Sequence, residues 1–91
     1  MFITLRNPVV IMKRYDFDFH FFTEDGELEH YNTISTFSLL FGRPYAERLA
    51  KHYVNFENCD FRVIIYDKKS GLPIDDFQVL RRLVRTIVIT R

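Results

Sequence analysis

The chain has no tryptophan, a single cysteine, three glycines and three prolines. With Cys59 alone, no internal disulfide can form. Small secreted domains commonly depend on such bridges, so a reducing compartment is expected, the cytoplasm of the producing or host cell. The glycines stand singly at 26, 42 and 71. A P-loop or dinucleotide fingerprint needs them clustered before a helix, so each is read as serving a local turn with positive φ. No signal peptide is visible, and Pro8-Val9-Val10-Ile11-Met12 is too short to span a membrane. That stretch reads instead as an edge strand within residues 2–12. Met12 offers an internal start that would make residues 1–11 dispensable.

What the chain does hold is phenylalanine, ten of 91 residues, with five tyrosines and 47% apolar residues. Each buried ring removes on the order of 150–250 Å² from water, so one domain over residues 1–91 can supply a core without staples. The net charge of +1 says little, but its placement is uneven. Asp16, Asp18, Glu24, Asp25, Glu27 and Glu29 fall between Tyr15 and Gly42 with no Lys or Arg, whereas Arg81, Arg82, Arg85 and Arg91 follow Phe77 with no acid. Two ends of a small domain facing solvent or one another is the preferred reading over two separate binding faces.

Tyr15-Asp16-Phe17-Asp18-Phe19-His20-Phe21-Phe22 alternates cleanly, and with residues 27–33 it predicts a β-hairpin around Glu24-Asp25-Gly26. A three-residue loop with Gly26 left-handed is favoured and sets Phe22 opposite Leu28, His20 opposite His30 and Phe19 opposite Tyr31. A two-residue Asp25-Gly26 turn would instead pair Phe21 with His30 and Phe19 with Asn32. Ser35 or Thr36 is expected to cap a short helix ended by Gly42, with Pro44 opening a second helix to about Val54. Tyr45, Leu49, His52 and Tyr53 would form its inner side, and Glu47 and Lys51 an outer ion pair. Residues 61–67 predict a central strand. Phe77, Leu80, Val84 and Ile87 share a helical face behind an Asp75 cap, and the β-branched run 86–90 suits a last strand. The expected fold is α+β: a small, mostly antiparallel sheet of hairpin 15–33, strand 61–67 and edge strands, covered on one face by helices 36–54 and about 75–85.

Few constellations carry chemistry. Asp18, His20 and His30 would share a face and form an N/O metal set, but a solvated strand face explains them more simply, and no cofactor is expected. Cys59 and His52 lack an orienting acid or oxyanion donors, so a buried structural thiol is the better reading. The expectation is therefore a non-enzymatic module. Its protein contact would use Asp16, Asp18, His20, Glu27, Glu29 and Tyr31, with a homodimer through an edge strand as a variant. In size and lack of motif it resembles the accessory and inhibitor proteins of phages and mobile elements, in type rather than in residues. The alternative is a nucleic-acid-binding regulator with a helix-turn-helix-like segment at 34–54. It would use Arg43, Arg48, Lys51, Arg81, Arg82 and Arg85.

Overall fold

The computed structural model describes residues 13–82 and 85–90. The strand expected within residues 2–12 lies outside them. In chain order the elements are β1 (Tyr15–Phe22), β2 (Leu28–Thr36), α1 (Leu39–Glu57), β3 (Phe61–Asp67), β4 (Pro73–Arg82) and β5 (Arg85–Thr90). The strands form one sheet in the order β2-β1-β3-β4-β5, with every neighbouring pair antiparallel. The α+β class holds, and the apolar run of β3 takes the centre as expected. The helices differ from expectation in both number and place.

The hairpin turns on Gly26 at φ +86, and the Thr23 amide donates to the Glu27 carbonyl at 2.8 Å. Phe22 faces Leu28 and His20 faces His30, but Phe19 faces Asn32. Tyr31 is therefore the extra residue of a β-bulge, which corrects the expected Phe19–Tyr31 pair. The bulge turns Tyr31 toward the helix, where its ring lies 4.7 Å from Tyr53 and 5.1 Å from Phe61, centroid to centroid.

One continuous helix replaces the expected helix-break-helix, so residues 34–54 contain no helix-turn-helix. Residues 34–36 end β2, and the cap is Ser38, whose Oγ accepts from the Leu40 amide at 3.0 Å. Gly42 is not a C-cap. A Cβ there would lie 2.6 Å from Thr36 Oγ1, so glycine is needed where the helix crosses the end of β2. Pro44 falls in the second turn and removes a bond to the Leu40 carbonyl. Leu40 is exposed, which leaves that carbonyl to water at modest cost. The helix ends at Asn58, left-handed at φ 59, whose amide donates to Val54 O at 2.8 Å.

The inner face of α1 is Gly42, Ala46, Ala50 and Val54, flanked by Leu49 and Tyr53, while Tyr45 and His52 are exposed. Small residues bring the helix close to a sheet face already filled by Phe17, Phe19, Phe61 and Phe77. Glu47 pairs with Arg43 at 3.4 Å rather than forming the expected pair with Lys51.

The helix expected over about 75–85 is strand β4, as far as residues 83 and 84, which are not described. Phe77 and Val79, two apart, are both fully buried and stand opposite Val63 and Phe61. The ladder to β3 on one side and to β5 on the other outweighs the helical spacing of Phe77 and Leu80. Asp75 caps no helix; its Oδ2 takes the Arg43 guanidinium at 2.6 Å.

Candidate functional site on the uncovered sheet face

Because side chains alternate along a strand, covering the phenylalanines with α1 sends their neighbours to the opposite face. Asp16, Asp18 and His20 of β1 lie there beside His30, Thr33 and Ser35 of β2 and Arg62, Ile64 and Tyr66 of β3. Among the described residues, no element lies over this face.

Asp16 accepts from Ser35 Oγ at 2.5 Å, and Lys68 Nζ stands 4.0 Å from its Oδ1. Asp18 accepts from Thr33 Oγ1 at 2.8 Å, and that hydroxyl also meets His30 Nε2 at 2.7 Å. His20 and His30 meet edge to face at 5.5 Å between centroids. Burial pushes the His20 ring below its ordinary range; Asp18 opposes this, while His30 and Arg62 add to it. The register thus brings Asp18, His20 and His30 together as expected, but they are tied into hydrogen bonds and ring contact. Among the described residues no group of three or more His, Cys, Asp or Glu side chains is placed to hold a metal ion.

Across β3 and β4 the same face carries the Arg62–Asp76 ion pair, in which Asp76 is only 5% exposed. The sequence does not announce this pair, because the spacing of Phe77 and Leu80 predicts a helix where β4 lies. Glu27 and Glu29 are exposed beside the hairpin turn, with Glu29 opposite Phe21, and Tyr31 lies on the helix side and donates to Glu57 Oε2 at 2.6 Å. Of the six expected contact residues, Asp16, Asp18 and His20 thus share the uncovered face, Glu27 lies at the turn, and Glu29 takes the phenylalanine side, as does Tyr31. That hydrogen bond is the main cause pushing the Tyr31 phenol up to about 12.

Of the cations in the nucleic-acid reading, the four whose side chains are described do not share one free surface. Arg43 is half-buried between Glu47 and Asp75, and its guanidinium sits 5.2 Å from the Phe77 ring centroid. Arg48 and Lys51 are exposed on α1. Arg81 donates to the Asn58 carbonyl at 2.7 Å, and Arg82 faces Arg85 in the β4–β5 ladder.

Two further features lie elsewhere. A cleft of about 690 Å³ is lined by Tyr31, Glu57, Cys59, Asp60 and Arg81, among others. Burial pushes the Cys59 thiol up, with Glu57 and Asp60 adding to the effect, so the thiolate that a nucleophile needs is disfavoured. His52 is not among the cleft residues and stacks on Phe56 instead, which leaves Cys59 without that base. Around the start of α1, Phe37, Leu40, Phe41 and Tyr45 are exposed, Leu40 and Phe41 by 77% and 78%. Sequence reading placed Leu40 and Phe41 at the end of a helix and missed this apolar cluster.

No helix among the described residues is long and apolar enough to cross a membrane. No protein-family model, curated protein or solved structure matches the chain.

Proposed function

We propose that the protein is a small non-enzymatic binding module that engages another protein through the acidic, uncovered side of hairpin β1–β2. The observation that carries this reading is the one-sided sheet: α1 takes the phenylalanine face and leaves Asp16 and Asp18 on the other, beside His20, His30, Thr33 and Ser35. An acidic rim steers a basic partner and repels a phosphate backbone. The exposed Phe37, Phe41 and Tyr45 at the start of α1 support a protein partner independently, since exposed aromatic clusters mark protein contacts more often than solvent faces.

The test is capture from a lysate of the producing cells, followed by direct binding of the purified partner. Asp16→Asn with Asp18→Asn should abolish binding and shift the unfolding midpoint little, while Arg48→Glu with Lys51→Glu should leave binding intact. Steeply salt-dependent binding to heparin or duplex DNA, lost in the Arg48 and Lys51 variant, would replace this reading with nucleic-acid binding.

A further inference from the structure

His20 sits at the one irregular point of the β1–β2 ladder: the register slips between Phe19 and His20, where Tyr31 is inserted. Its ring meets His30 of β2, and its register partner on β3 is Arg62. The charges facing it are Asp18 on its own strand, His30 on β2, Arg62 on β3 and, beyond Arg62, Asp76 on β4; α1 packs on the opposite face. Both carboxylates are already engaged, Asp18 with Thr33 and Asp76 with Arg62. Among the described residues, His20 Nε2 is closed to solvent and has no hydrogen-bond partner.

We propose that His20 is a proton-sensitive latch on the edge strand β2, holding β2 in place beside the bulge when neutral and loosening it there when charged. A neutral ring can leave Nε2 without a proton. Charging it places an N–H at a closed position with no acceptor, in a ring flanked by His30 and Arg62. Both terms oppose the charged form, in keeping with the lowered proton affinity caused first by burial. The sign follows. The unfolded chain takes up a proton near the ordinary 6.5 and the folded chain only at lower pH. Stability is therefore fully present above the ordinary value and is lost as pH falls through it toward the folded one. Loosening β2 would release Thr33 and Ser35 from Asp18 and Asp16, so mild acid would alter the acidic surface itself. The latch belongs to the hairpin and does not depend on the proposed partner.

The test is amide exchange of the full chain, corrected for intrinsic rates, at about pH 7 and about pH 5, where histidine changes charge. Protection of Asn32 and Ile34 in β2 is expected to fall several-fold more than that of Val63 and Ile64 in β3. In His20→Gln the two strands should fall alike. The ring of His20, followed by NMR in the wild type, should titrate below 6.5. Equal loss in β2 and β3 of the wild type, an unchanged pattern in His20→Gln, or a ring midpoint at or above 6.5 would each overturn the latch. Should His20→Gln fail to fold, the two wild-type measurements decide the matter alone.

Discussion

Phe17 and Asp18 are adjacent in one strand yet belong to different environments. Toward α1 the sheet is closed by rings and aliphatic chains, with Phe17, Phe19, Phe61, Val63, Ile65, Phe77 and Val79 fully buried. On the other side the same three strands carry Asp16, Asp18, His20, Arg62 and Asp76, held by hydrogen bonds and one largely buried ion pair. The packed face derives its stability from area removed from water and resists any change of volume. Apart from the Arg62–Asp76 pair, the other face derives little from any single contact, which leaves its residues available for recognition. Period-two alternation in an aromatic-rich strand thus separates stability from binding at a spacing of one residue.

The largest break in that contrast should come from Phe19→Ala, which is expected to cost about 3–5 kcal/mol in urea unfolding. Arg62→Ala tests whether the uncovered face has a structural element of its own. Removing the partner of nearly buried Asp76 should cost roughly 1.5–3 kcal/mol, far more than other changes on that face. Gly42→Ala should destabilise by roughly 1–3 kcal/mol despite alanine's better helix propensity, because its Cβ would meet Thr36. Adding Thr36→Ala, which removes the two closest of the three contacts, should recover part of that loss, which it would not do if Gly42 were needed for a turn. Asp18→Ala should cost about 1 kcal/mol or less, since it removes only a partly solvated hydrogen bond from Thr33. The smallest effect is local: Glu57→Gln should return the Tyr31 phenol from about 12 toward 10, read from its ring resonances, with the midpoint of unfolding nearly unchanged.

Much of this contrast was legible in the residues. The alternation of β1 identified its two faces, and Glu24-Asp25-Gly26 set the hairpin register as far as His20 and His30. Beyond that point the register depends on Tyr31 finding Tyr53 and Phe61, residues over twenty positions away, and no local signal announces the bulge. Gly42 and Pro44 look like a helix break because their usual roles are local, whereas Gly42 answers to Thr36 across the domain. Phe77 and Leu80 fit a helix as well as a strand, and only the available edge of β3 selects the strand. The acidic half of the candidate surface followed from alternation alone. The Arg62–Asp76 pair did not, since it required β4 to be a strand.

The most direct test of the two-faced sheet uses three consecutive residues of β3 and a soluble paramagnetic agent. Val63 and Ile65 point into the packed face and are fully buried, and Ile64 lies on the other. Methyl relaxation should rise clearly at Ile64 and remain near baseline at Val63 and Ile65. Equal shielding of all three would show that the second face is covered, which would contradict the account; equal relaxation would show that α1 does not seat on the phenylalanines.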